Sequence, residues 1–549
     1  MCSILILLMM MQVPGGDWNQ LLHIDNPASH GNSFGFALAG PGDLDHDSIE
    51  EIFIGAPTEC IFGTGFQGAA YVFSGATGNQ LRKFEGIAES EGFGISMDYL
   101  GDIDVDGTPD LLVGSGSQSV IFPGRVSVIS GETGVTIYSI QSTQIADLFG
   151  QVLASCEDID GDSVVDFVVG APWASPGGLS LAGEALVFSG KTGSLLFRYQ
   201  GTSPGIQLGW NVGCLGDISG DGISDLAASS FVAGLTGSIH IISGENGSLL
   251  FEIDGFSFEE QFGSSLDGIG DINGDGLGDF IIGASSHYSG PWRPGAAYVL
   301  SGADASIIYQ YEGEGTLSAF GSGVLGTGDL DMDSIPDFAV AARTADFGGI
   351  FGMGAVYVYS GRDGALLHRF QGQELEYKGR SLASIGDMTG DGRREIMFYE
   401  NAGVPPGTRN PGAIGIYSFD SFLEADRLSI SSSQGGTVKF DHIFPISEGG
   451  KAYRLLASSD RRGIAHWNGV EVPLAKTWLL HRTAFGGLGG IPGAVGSLDS
   501  NGHAVTLITL NPGAASAFIG QTIGFASVTL RAPDQPSLSS ARALVEIKP

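Results

Sequence analysis

The chain has 549 residues, with 61 acidic against 25 basic side chains, a formal charge of -36, and 89 glycines. So acidic a balance speaks against nucleic acid as a partner, because a phosphate backbone calls for basic patches. The glycine content points to a turn-rich, all-β chain.

Residues 4–11 form an apolar run with the length of a signal-peptide core and too short to span a membrane. Residues 1–16 are therefore expected to be a signal peptide, and the protein secreted or held at the cell surface, although no basic residue precedes the run. No other stretch reads as transmembrane.

From residue 42 one pattern recurs: "GDLDHDSIEEIFIGAP" has six later counterparts. Their leading aspartates, Asp43, Asp102, Asp158, Asp217, Asp271, Asp329 and Asp387, are separated by 59, 56, 59, 54, 58 and 58 residues. A near-constant period marks an array of supersecondary units. Nine residues before each aspartate stands Phe-Gly or a relic of it: Phe34-Gly35, Phe93-Gly94, Phe149-Gly150, Leu208-Gly209, Phe262-Gly263, Phe320-Gly321 and Lys378-Gly379. After each acidic stretch comes an apolar run, then a "YVFSG"-type run rich in β-branched and aromatic residues, then a Gly-containing turn and a final run such as "SLLFRY".

Each repeat thus reads as four short strands, and seven four-stranded sheets arranged radially make a seven-bladed β-propeller. Closure removes the exposed sheet edges that would invite aggregation. The seventh repeat stops after its third strand, near Ser418, and "QLLHID" (Gln20 to Asp25) is a strand without a blade. That N-terminal strand is expected to complete blade seven, so that the propeller occupies residues 17–419.

The Phe-Gly and Gly-Ala-Pro landmarks around a DxDxDG loop resemble FG-GAP repeats, which build the N-terminal propeller of integrin α-subunits and part of a GPI-specific phospholipase D. The resemblance covers about residues 20–419 and implies calcium in the acidic loops. Calcium takes six to eight oxygens in irregular geometry. Loop positions 1, 3, 5 and 9 offer side-chain oxygens and position 7 a carbonyl.

The first loop offers Asp43, Asp45, Asp47 and Glu51, with Ile49 giving the carbonyl. The second offers Asp102, Asp104, Asp106 and Asp110, and the third Asp158, Asp160, Asp162 and Asp166. The fourth has Asp217, Ser219, Asp221 and Asp225, and the fifth Asp271, Asn273, Asp275 and Asp279. The sixth has Asp329, Asp331, Asp333 and Asp337. The seventh, with Asp387, Thr389, Asp391 and Glu395, is the least regular, because Arg393 and Arg394 lie inside it. Up to seven Ca2+ ions are expected. Ser48, Ser163 and Ser334 stand where the other loops have a sixth-position glycine, a place expected to need positive φ. The alternative is a set of Asx-turns without metal. Removing the 25 loop carboxylates from the 61 acids would leave 36 against 25 bases, so the acidity resides mainly in the loops.

Cys156 and Cys214 lie two and three residues before their loops, which by strand alternation should turn them to opposite faces, so no disulfide is expected. After Asp420 the repeat ends. Alternating stretches such as "TVKFDHIF" and "HAVTLITL" suggest a small β-sandwich over 424–533 and a tail over 534–549. This region is similar to C-terminal modules of secreted bacterial proteins.

No HExxH or kinase-type motif occurs, and "GTGFQG" has no helix to receive a phosphate. Three functions stay open. One is an adhesion or interaction module, a monomer binding an extracellular protein or glycan through the loops opposite the calcium loops, with Trp173, Tyr288, Trp292 and Arg293 as candidate contacts. The second is a polysaccharide lyase or hydrolase working in the propeller funnel. The third is a passive element of a cell envelope.

Overall fold

The structure is a computed structural model. It describes residues 17–420 apart from 29–32, 62–64, 117–122, 232–235, 290–291, 401–411 and the single positions 258, 332, 348 and 391; beyond 420 it describes only strands. The expected signal peptide, residues 1–16, lies outside the described residues.

Seven four-stranded antiparallel sheets form the blades, and in six of them the strands lie side by side in chain order. In the second blade these are Phe93–Gly101, Asp110–Ser115, Arg125–Ile129 and Thr136–Gln141. The second and third strands of the blades are mostly apolar and buried, because a neighbouring blade covers each face. The fourth strand alternates exposed and half-buried residues, as an outer strand should.

The Phe-Gly landmark has a packing reason. Phe34, Phe93, Phe262 and Phe320 are buried between blades. The following glycine has positive φ, +82° at Gly94, and its carbonyl lies against the Gly of the preceding blade's Gly-Ala-Pro: a Cβ on Gly55 would stand 2.0 Å from the Gly94 oxygen. The same abutment recurs at Gly114 against Gly150, Gly170 against Gly209, and Gly283 against Gly321. Adjacent blades therefore dock backbone to backbone, which only glycine permits at that distance.

Blade seven is closed as the sequence predicts. Asp17–Asp25 pairs antiparallel with Ala413–Asp420, Asp17 opposite Asp420 and Asp25 opposite Ala413, outside strands Leu382–Ile385 and Glu395–Glu400. Here the Phe of Phe-Gly is Lys378, 9% exposed at its side chain, with Nζ 3.0 Å from both Glu376 and Glu400. Glu400 also accepts hydrogen bonds from Gln20 (2.8 Å) and Tyr417 (2.8 Å) and pairs with His23 (2.7 Å). A polar knot thus stands where five other blades have a phenylalanine and blade four Leu208, and it ties the N-terminal strand to the blade.

One expectation is overturned. Cys156 and Cys214 form a disulfide, with Cα atoms 5.4 Å apart. Strand alternation was the wrong frame, because Cys214 lies on the first strand of blade four while Cys156 follows the end of the first strand of blade three, and the bridge spans the blade boundary.

Beyond the propeller, Leu423–Ala425, Gly436–Ile443 and His503–Leu510 form one sheet, and Ser429–Ser431, Ala543–Lys548, Thr522–Ala532, Ala452–Ser458 and Val495–Ser497 a second. Ala465–Trp467 pairs with Val470–Val472. Gln535–Ser539 and Ala543–Lys548 are strands paired with Thr522–Ala532, where the sequence reads as a tail; main-chain pairing recruits segments whose own apolar pattern is short.

Candidate metal-binding loops

The acidic loops join the first strand of each blade to the second, and among the described residues one hydrogen-bond scheme recurs in them. In the second loop Asp102 accepts the N–H of Asp106 (3.0 Å) on one oxygen and that of Gly107 (2.8 Å) on the other. Asp104 accepts from Asp106 (3.2 Å), and Asp106 from Thr108 (3.0 Å). The chain curls around its own carboxylates because positions 4 and 6 take left-handed backbone: Val105 has φ 62° and Gly107 φ 96°. The serines at position 6 do the same, Ser48 at φ 74°, Ser163 at φ 69° and Ser334 at φ 71°.

Position 9 begins or directly precedes the second strand and is buried. Asp110 accepts the N–H of Ile103 (2.8 Å) and that of Gly131 (3.0 Å). The latter contact recurs as Asp166 with Gly190, Asp225 with Gly244, Asp279 with Gly302 and Asp337 with Gly361, at 2.9 to 3.0 Å. These glycines close the third-strand "SG" marker, so that marker is a clamp on the acidic loop. Sequence reasoning used it only for register; its separation from position 9 varies from 19 to 24 residues, so only its recurrence after each acidic loop was available as a signal.

The first loop differs. Glu51 is longer by one methylene, and its Oε2 accepts from Leu44 while its buried Oε1 has no hydrogen-bond partner. Asp43, Asp45, Asp47 and Glu51 each offer an oxygen within 4.8 Å of the others. Burial first, then repulsion by Asp45, Asp43 and Asp47, pushes the Glu51 carboxyl up to about 7. An orphaned buried oxygen among three more carboxylates fits a hard cation, and every donor here is oxygen.

The structure brings three acids to the same spacing in three further loops: Asp102, Asp104 and Asp110; Asp158, Asp160 and Asp166; Asp329, Asp331 and Asp333. Asp106, Asp162 and Asp337 fall outside those groups. Burial raises the carboxyls of Asp110, Asp166 and Asp279, and holds Asp337 well above the ordinary range. In the fourth loop Ser219 stands at position 3, and its N–H donates to Asp225 (2.7 Å), while Asp217 and Asp221 keep the common scheme. In the fifth, Asn273 accepts from Asp275 (2.8 Å), and Asp271 accepts from Asp275 (3.2 Å). In the seventh, Asp387 accepts from Thr389 (3.2 Å) and Glu395 from Met388 (2.7 Å), and Asp391 lies outside the described residues. Among the described residues, loops four, five and seven hold no group of three acids.

The connections between strands two and three and between blades emerge at the other end of the disc. There Arg293 lies 4.2 Å over the Tyr288 ring and 3.0 Å from Glu259, which also accepts from the Tyr288 hydroxyl (3.3 Å). Trp292 is 53% exposed and Trp173 38%. Phe66, Phe256, Leu317, Phe351 and Tyr377 are also exposed in connections at this end. Singly they look like ordinary loop residues in the sequence; only the topology gathers them.

On the axis, toward the acidic loops, a cavity of about 230 Å³ is lined by Glu50, Asp98, Tyr99, Ser384 and Arg394 among others. Its acids stitch neighbours together. Glu50 accepts from Gly42 (3.1 Å) and from Gly386 of blade seven, and Asp98 accepts both the N–H and the hydroxyl of Ser155 in blade three (2.8 Å each). Nearby Asp267 accepts from Gly326 of blade six (2.9 Å), and burial lifts its carboxyl to about 6. No helix among the described residues is long and apolar enough to cross a membrane.

No protein-family model matches the chain. It is 25% identical to integrin alpha-V of Gallus gallus over 51% of the chain and 30% of that protein, and 28% identical to integrin alpha-PS2 of Drosophila melanogaster over 46% of the chain and 15% of that protein. It is 28% identical to the phosphatidylinositol-glycan-specific phospholipase D of Homo sapiens over 64% of the chain and 49% of that protein. The chain thus matches at most about half the length of these relatives. Together with seven four-stranded blades and seven acidic loops, these similarities support a likeness to FG-GAP β-propellers.

Proposed function

We propose that this chain is a secreted or surface-held interaction module: a calcium-stiffened propeller over residues 17–419, followed by a small β-sandwich from residue 424, acting as a monomer. The observation that carries the reading is the first loop, where four carboxylates converge and the buried Glu51 Oε1 lacks a partner. Calcium would be held by positions 1, 3, 5 and 9 and the position-7 carbonyl in up to seven loops. It would supply charge neutralisation and a rigid bend, not chemistry. The partner, an extracellular protein or glycan, would dock at the opposite end around Trp173, Tyr288, Trp292 and Arg293. Aromatic and arginine side chains are enriched at binding hot spots, and the similarity to integrin α-subunits supports protein adhesion.

The axial cavity favours a second reading, a polysaccharide lyase or hydrolase. Its carboxylates are already engaged by backbone N–H groups of adjacent blades, so the binding reading is preferred. A glycan and surface-protein array, run in calcium and then in EDTA, tests both. Calcium-dependent capture of one ligand class, lost in Trp292→Ala, is expected; turnover of a polysaccharide would select the enzyme, and capture and melting indifferent to EDTA would end the calcium reading.

A further inference from the structure

The acidic loops are not equivalent, and the difference lies in the residue that follows the "SG" clamp. It is Ala76, Glu132, Lys191, Glu245, Ala303 and Arg362 in blades one to six. In blade six the Arg362 Nε stands 2.5 Å from Asp333 Oδ2, and its terminal nitrogen also reaches the Asp333 carbonyl. Asp333 Oδ1 is already taken by the N–H of Ile335 (3.0 Å). Arg362 therefore holds the one side-chain oxygen of position 5 that the loop leaves available.

The neighbouring serine reports the displacement. In blades two and five the clamp serine donates to that same oxygen, Ser130 to Asp106 (3.2 Å) and Ser301 to Asp275 (3.3 Å). In blade six the Ser360 hydroxyl is buried without a hydrogen-bond partner. Blade three shows a looser version: Lys191 Nζ lies 3.9 Å from Asp162 Oδ2, and the Ser189 hydroxyl is likewise unpartnered. Blade one has Ala76 and no basic group here, and its Glu51 oxygen is open.

We propose that Arg362 is a tethered counter-ion that competes with a divalent cation for the sixth loop, so that this loop fills only at higher calcium than the first. The inference rests on the reading of the loops as calcium sites. A guanidinium bonded to Asp333 Oδ2 repels a divalent cation brought to the same oxygen, and at this depth that repulsion is weakly screened. Asp333 is 6% exposed at its side chain and Arg362 26%. Removing the guanidinium should tighten the weakest class of sites about tenfold or add one bound ion.

The test is calcium titration of the full chain by calorimetry and equilibrium dialysis, comparing wild type, Arg362→Ala, Arg362→Gln and Arg362→Ala/Asp333→Asn. Circular dichroism checks folding, and Arg362→Gln keeps the side-chain stem should the alanine variant misfold. The expected result is a gain in both single variants that the double variant abolishes. Calcium binding by wild type with no gain in either folded variant overturns the role of Arg362. No calcium binding by any of the four overturns the reading of the loops as well.

Discussion

Replacing Lys378 with methionine would leave two carboxylates, Glu376 and Glu400, buried beside an apolar side chain. Both are under a tenth exposed, and each loses a cation at 3.0 Å. Removing one partner of a buried pair costs about 3–5 kcal/mol. Glu400 keeps its contacts with Gln20, His23 and Tyr417, so the lower end, about 3 kcal/mol, is expected. Denaturant unfolding measures it, and Glu376→Gln added to Lys378→Met should recover part of the loss. The pH dependence follows from sign. Lys378 and the other donors hold the Glu400 carboxyl below its ordinary value, against the opposing effect of burial. A depressed folded value contributes stability above the unfolded glutamate range and loses it as pH falls through the folded value. The gap between wild type and Lys378→Met should therefore be constant from about pH 5 to 8 and shrink below about pH 4. A loss under about 1 kcal/mol at pH 7, or a gap that widens in acid, would refute the reasoning.

Chelation should lower the melting temperature of the wild type. Calcium at about a hundred times its dissociation constant stabilises a site by about 2.7 kcal/mol, and Glu51→Gln should blunt the calcium-dependent shift seen in a melting scan. Gly94→Ala should destabilise by at least about 2 kcal/mol, because φ is +82° and the new Cβ would lie 2.5 Å from the Ala69 oxygen; denaturant midpoints check it. Asp267 titrates at about 6 in the folded chain. A raised carboxyl favours the fold below its unfolded value and loses that benefit as pH rises through the folded one. Wild type should lose about 2–3 kcal/mol relative to Asp267→Asn between about pH 4 and pH 6, and equal pH profiles for the two would refute it.

The period of the repeat, the four strands of each blade and the loop carboxylates were legible in the sequence because their contacts are short in chain separation. Asp102 bonds Asp106 and Gly107, and Asp110 bonds Ile103, within one loop. The left-handed turn at Ser48 could be read from its glycine counterparts for the same reason. Closure by Asp17–Asp25 could be inferred by counting, since a ring of blades cannot lack one strand. The Cys156–Cys214 bridge, the Lys378 knot, the stitch from Glu50 to Gly386 and the hold of Arg362 on Asp333 were decided by the tertiary structure. The bridge and the Glu50 stitch join different blades, the knot brings Gln20 to Glu400 from 380 residues away, and Arg362 meets Asp333 inside one blade across 29 residues; a one-dimensional pattern records which residues recur, not which of them the folded blades turn toward each other.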